Sequence, residues 1–291
     1  MKKFLTDALV IVLIVCLLLV GMELVVPFFK NNYSYKNQYM QRHAGEIETL
    51  ILGSSLGYND INPSLLAGRT FNIALPGKNI YYDVQLLERH LPDMKHLHTV
   101  LYPIHCDMMI MRDYVAKSPR NYMVHTFMGL EHPCKKDRIY TRWLSLSGSL
   151  NIGVFNTEVS LMTSDSLGFY SENEPAKQRP VHIVHHEPIK QEEFTQHLTQ
   201  LAKMCNEHGV RLITFTCPTH ENEFNKADAP QICQRAIEQC IQNVRRQFPM
   251  EYKNYMSDPK FQADSIYYDW SHLNKTGSTL FTKQLKEDFG L

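Results

Sequence analysis

Three short apolar runs, each ending in turn residues, limit the architecture more than any other feature of the sequence. Thr49–Gly53 reads TLILG and breaks into Gly-Ser-Ser, Thr70–Leu75 reads TFNIAL and is closed by Pro76-Gly77, and Thr99–Pro103 reads TVLYP. Apolar runs this short, bounded by Gly or Pro, suit strands buried on both faces. Tyr81–Leu91, between the second and third, has the apolar spacing of a helix. The later half repeats the pattern. Gln191–Glu207 reads as an amphipathic helix stopped by Gly209, Val210–Cys217 as a strand ending at Pro218, and Gln231–Gln247 as another helix. A last helix is expected over Lys275–Phe289, with Asn274 as its N-cap. Strands alternating with helices predict an α/β fold, a parallel sheet with helices on both faces.

Ahead of this pattern, Ala8 to Pro27 reads ALVIVLIVCLLLVGMELVVP, with Glu23 its only charge. That is the roughly 20 residues a helix needs to cross a bilayer. A secretory signal peptide is the competing reading, but no small-x-small cleavage site follows the run. The expected organisation is a membrane anchor over 1–29, a juxtamembrane linker over 30–46, and a domain over 47–291 interrupted by an irregular insertion at about 104–188. Lys2 and Lys3 precede the apolar run while Lys30, Lys36 and Arg42 follow it, so flanking cations leave the orientation open. The 30 Lys and Arg balance 30 Asp and Glu, which gives no global field to attract nucleic acid, and no nucleic-acid partner is expected. Cys16 lies in the apolar run. Cys106, Cys134, Cys205, Cys217, Cys233 and Cys240 are scattered without a CxxC, which is neither a disulfide framework nor a zinc site.

In a parallel sheet, ligands sit at the carboxyl ends of the strands. Those ends carry Ser54-Ser55, Gly77-Lys78-Asn79, His105 with Asp107, and Thr219-His220, and Asp269-Trp270-Ser271-His272 stands just before the last helix. A serine hydroxyl is a weak nucleophile until an imidazole takes its proton, and a carboxylate holds that imidazole in the right tautomer. Ser55, His272 and Asp269 supply the three parts. The backbone amides of Ser55 and Gly77 are the candidate oxyanion donors. Gly-Ser-Ser alone is a common turn, and His272 is one of 14 histidines; the weight lies in their occurring together at opposite ends of one α/β pattern. His182, His185 and His186 read as a solvated loop in preference to a metal site. Cys217, beside His220, reads as a small buried residue in preference to a thiol nucleophile. Tyr267, Tyr268 and Trp270 either line a sugar-binding edge or pack the last helix, with packing favoured. No cofactor and no metal are expected.

Leu50–Pro63 (LILGSSLGYNDINP), Phe71–Gly77 (FNIALPG) and Asp269–Gly277 (DWSHLNKTG) together resemble the GDSL/SGNH hydrolase superfamily. They are most similar to its Gly-Ser-Ser branch, which includes membrane-anchored acyltransfer proteins of the lipoteichoic-acid D-alanylation and alginate O-acetylation type. The resemblance implies a flavodoxin-like three-layer α/β/α domain, no metal and an extracytoplasmic location. It puts the nucleophile on Ser55, with Ser54 where many members have Asp, an oxyanion glycine on Gly77, and the Asp-x-x-His pair on Asp269 and His272. One block departs. Where members carry Gly-x-Asn-Asp after the third strand, this chain reads Tyr102-Pro103-Ile104-His105, so Asn79 or His105 would have to stand in as donor. The expected function is a membrane-anchored serine acyl esterase or O-acyltransferase, acetyl being the expected group. Its partners would be an acyl donor with a glycan acceptor, or an acylated glycan, and a multi-span membrane acyltransferase. The alternative is a catalytically idle module that binds glycan or scaffolds an acylation complex.

Overall fold

The structure, a computed structural model of the chain, describes residues 1–105, 108, 119–144, 162–176, 191–223 and 229–291. It divides into two compact units, Met1–Asn37 with Tyr114–Met162, and Gln38–Asp113 with Thr163–Leu291.

The larger unit is built on five parallel strands: β1 (Thr49–Ile51), β2 (Thr70–Asn72), β3 (Thr99–Ile104), β4 (Arg211–Thr216) and β5 (Glu251–Asn254), in spatial order β2-β1-β3-β4-β5. Thr49 is in register with Thr70 on one side and Thr99 on the other, and Thr99 with Arg211. The chain leaves β1 in one direction to form β2 and then returns past β1 to form β3. The carboxyl ends of β1 and β3 therefore flank the crevice where doubly wound sheets bind their ligands.

Helices cover both faces. After α1 (Lys2–Val25) and α2 (Asn32–His43) come α3 (Ser55–Asp60), between β1 and β2, and α4 (Ile80–His90), between β2 and β3. Next are α5 (Pro119–Met128), α6 (Arg138–Arg142), α7 (Gln191–Glu207), α8 (Ala229–Arg245) and α9 (Lys275–Phe289). Helices α3 and α9 pack together, as do α4, α7 and α8. Under α9, Phe281 meets Phe215, Phe261 and Tyr255 edge-on, with ring centroids 5.8, 5.6 and 5.2 Å apart. Asn274 caps α9 as expected, its Oδ1 accepting the N–H groups of Thr276 and Gly277.

Two strands depart from expectation. Strand β3 runs one residue beyond Pro103, to Ile104, although proline cannot donate to a ladder. Leu52 N–H still bonds Leu101 O, but β1 then turns away at Gly53, so the neighbour that Pro103 would have had on that side is gone. Strand β5 has no apolar run to announce it. It is an edge strand reading Glu-Tyr-Lys-Asn, and none of its residues is fully buried.

In the smaller unit, α1 and the turn after it, Lys2–Phe28, form a helix long and apolar enough to cross a membrane, as a membrane anchor or a signal sequence would be. The stretch expected as a linker contains α2, and the one expected as an irregular insertion contains α5 and α6. Helix α5 buries residues around most of its circumference, Asn121, Tyr122, Met123, Val124, Phe127 and Met128, which erases the one-sided periodicity by which a helix is recognised.

Candidate active site

Gly53 begins the site. Its φ of +107° is strained for a residue with a side chain, and a Cβ there would stand 3.2 Å from the Pro103 ring. The turn it permits ends β1 against β3 and starts α3 at Ser55. The Ser55 N–H, in the first turn of α3, has no acceptor within its own helix.

Ser55 Oγ lies 2.8 Å from His272 Nε2. His272 Nδ1 lies 2.9 and 3.0 Å from the two oxygens of Asp269. An ionised carboxylate only accepts, so Nδ1 carries the proton, Nε2 presents its lone pair, and the Ser55 hydroxyl donates to it. Asp269 also accepts the backbone N–H groups of Ser271 and His272, at 2.9 and 2.8 Å, which shapes the turn. Burial works against the Asp269 carboxylate, but the hydrogen bond and charge of His272, with those two amides, hold it below its ordinary range. Burial likewise opposes a charged His272, and the hydrogen bond and charge of Asp269, helped by Asp60 and Glu223, lift the imidazole above its ordinary value.

The other expected donors stand at the same sheet edge. Gly77 takes a φ of +65° after β2. Asn79 caps α4, its Oδ1 accepting the Tyr81 N–H at 3.4 Å. His105 follows β3 and is 5% exposed.

Four further residues support these groups, of which only Lys78 is marked by its place at a strand end. Asp60, the last residue of α3, is buried and accepts the Leu273 N–H at 2.9 Å. Burial raises its carboxyl to about 8. Lys78 and Asp83 form a fully buried pair, Nζ to Oδ1 2.6 Å, in which burial pushes both groups toward their neutral forms. Lys78 also donates to Ile73 O at 3.1 Å, and Asp83 accepts the Gly53 N–H at 3.3 Å. The loop of Gly77 is thereby tied to the turn that starts α3. Buried Glu223 accepts the Ser271 hydroxyl at 2.5 Å. Lys78 is marked in the sequence by its place after β2, whereas Asp60, Asp83 and Glu223 carry no such signal.

One side of the site is bordered by the segment 163–176. Tyr58 OH and Thr163 Oγ1 are 2.8 Å apart, Leu167 O accepts the Asn72 N–H, Glu172 O accepts the Lys275 N–H, and the Ala176 N–H reaches Tyr268 O. Cys217 is buried, with its thiol pushed well above the ordinary range by burial and by Asp60. His220 donates from Nε2 to Asp264 at 2.9 Å while its Nδ1 accepts the Asn222 N–H, and its ring stacks on Trp270 at 4.5 Å. Tyr267 is core, its hydroxyl donating to Phe261 O. Asp107, His182, His185 and His186 lie outside the described residues.

No protein-family model and no curated protein matches the chain. Solved structures are similar to it, among them the following three. A "putative acylhydrolase" from Bacteroides fragilis is 10% identical, covering 87% of this chain and 94% of its own, with a TM-score of 0.45. A "putative platelet activating factor from Streptococcus pneumonia" is 11% identical, with coverages of 96% and 98% and a TM-score of 0.49. A GDSL-like lipase from Bacteroides thetaiotaomicron is 10% identical, with coverages of 89% and 98% and a TM-score of 0.46. Likenesses this distant say nothing about chemistry, so what the site does is argued from its own atoms.

Proposed function

We propose that the chain is a membrane-anchored serine acyl esterase or O-acyltransferase of the SGNH type, acting on acyl groups, acetyl first among them, of cell-envelope or extracellular polysaccharide. One observation carries this reading: the unbroken hydrogen-bond path from Ser55 Oγ through His272 to Asp269, at the crevice between β1 and β3. Ser55 Oγ attacks the ester carbonyl as its proton passes to His272 Nε2, and Asp269 stabilises the imidazolium. The oxyanion is met by the Ser55 N–H and by the Gly77 N–H, with Asn79 or His105 as the further candidate donor. Collapse expels the alcohol, which takes the proton from His272 and leaves an acyl-serine. Water or a glycan hydroxyl then attacks that ester by the same steps in reverse. A tether that confines the site beside envelope polymers favours the glycan acceptor, and a multi-span membrane acyltransferase would be a fitting source of the acyl group.

The test is labelling of the full chain with a fluorophosphonate serine probe, beside Ser55→Ala and His272→Ala. Labelling of the wild type that disappears in both variants is expected, and an unlabelled, well-folded wild type would sink the reading. A second reading, an idle glycan-binding module, is favoured by the His105 block, whose histidine is almost wholly buried. Glycan binding that survives Ser55→Ala, with no ester turnover by the wild type, would select it.

A further inference from the structure

Acyl transfer has no use for one surface of the smaller unit. The turn Lys135–Asp137 and helix α6 expose Lys135, Lys136, Ile139, Arg142 and Trp143, with Ile139 52% and Trp143 44% accessible. Four cations, Lys135, Lys136, Arg138 and Arg142, fall between residues 131 and 144 against two carboxylates, Glu131 and Asp137. Glu131 holds Arg138 and Arg142 at 3.4 and 3.2 Å, which leaves the lysines as the outer charges of the patch. An exposed isoleucine and tryptophan ringed by cations suit the headgroup layer of an anionic bilayer. The indole ring favours that depth, and lysine and arginine are drawn to lipid phosphates.

The surface is also placed near a bilayer by its own unit. Helix α5 packs against α6, and its Tyr122 hydroxyl donates to Glu23 at 3.1 Å. Glu23 stands in the last turn of α1, where a spanning helix leaves the membrane. That hydrogen bond ties α5 to the end of α1, and α6, which Trp143 follows, packs on α5, so the patch belongs to the helix pair held at that exit.

We propose that Lys135, Lys136, Ile139, Arg142 and Trp143 form a second membrane contact, seated in the headgroup layer of an anionic bilayer beside the end of α1. The inference rests on α1 being a membrane anchor. It adds that the unit lies on the membrane instead of hanging from it.

The sequence holds two tryptophans, Trp143 and Trp270, so each can be read alone. The full chain is reconstituted into phosphatidylcholine vesicles containing phosphatidylglycerol, with lipids brominated near the top of the acyl chain or near the bilayer centre. In Trp270→Phe, shallow bromine is expected to quench about half of the Trp143 emission and deep bromine much less, as suits an interfacial indole. Trp143→Phe is expected to lose this quenching, and Lys135→Glu with Lys136→Glu to weaken it. If Trp270→Phe fails to fold, the difference between wild type and Trp143→Phe reports the same quantity. A chain that floats with the vesicles but leaves Trp143 unquenched overturns the inference, as does unquenched emission that shifts with protein concentration, which would assign the patch to a second copy. A chain that does not float with the vesicles overturns the anchor itself, a separate failure.

Discussion

Asp60 accepts the backbone N–H of Leu273 at 2.9 Å across 213 residues of sequence. Leu273 follows His272, and Asp60 ends the six-residue helix that Ser55 begins. Helix α3 therefore grips the 269–273 turn at two points, Ser55 at one end against the imidazole and Asp60 at the other against the main chain. The separation between nucleophile and base is set by one short rigid element.

Asp60→Ala leaves the Leu273 N–H buried without its acceptor, a cost of about 1–3 kcal/mol. Asp60→Asn keeps an oxygen in that position. Chemical denaturation is expected to rank the alanine variant well below the asparagine variant. Ester turnover is expected to fall further in the alanine variant than lost folded protein explains. Equal stability of the two would remove the clamp from the account.

The pH dependence of turnover follows from His272. It must be neutral to accept the Ser55 proton, and its pKa is raised above the ordinary value of about 6.5. Turnover is therefore expected to rise with pH through a midpoint above about 6.5 and to be lost as pH falls through it. Asp269→Asn removes both the charge that raises this midpoint and the tautomer control. It is expected to lower kcat by about 10⁴ and to move the midpoint down, read from initial rates across the pH range.

The parts of this arrangement legible in the sequence are those carried by local pattern. β1, β2 and β4 are apolar runs with turn residues behind them, and Ser55 and His272 stand where such a sheet binds its ligands. What was hidden depends on neighbours distant in the chain. Glu251 and Lys253 suit an edge strand because, among the described residues, β5 pairs with β4 alone, so it carries no apolar run. Pro103 looks like a strand end until the turn at Gly53 removes the partner it cannot bond. Asp60 and Asp83 go unmarked in the sequence because their burial is created by packing between elements.

Stability should also depend on pH through Asp60. Its folded pKa, raised to about 8, lies far above the ordinary carboxylate value of about 3.9, so the folded state holds a proton that the unfolded chain releases. The contribution is fully present below about pH 4 and is lost as pH rises through about 8. Across that window the larger unit should lose on the order of a few kcal/mol from this group alone. Asp60→Asn should flatten that part of the profile, measured as denaturation midpoints at several pH values, and an unchanged slope would mean that the carboxyl is not held protonated.

The buried Lys78–Asp83 pair gives the last prediction. Lys78 belongs to the loop of Gly77, and Asp83 holds the Gly53 amide, so the pair ties an oxyanion candidate to the nucleophile turn. Lys78→Met leaves Asp83 without its partner in a site with no solvent, and breaking a buried pair from one side costs about 3–5 kcal/mol. Replacing both, Lys78→Met with Asp83→Leu, removes the uncompensated group and should recover much of that stability. It should not recover turnover, because the Gly53 N–H loses its acceptor and the Gly77 loop loses its tie. Denaturation and ester hydrolysis measured on the two single variants and the double variant separate these effects. A double variant that regains both stability and rate would reduce the pair to packing.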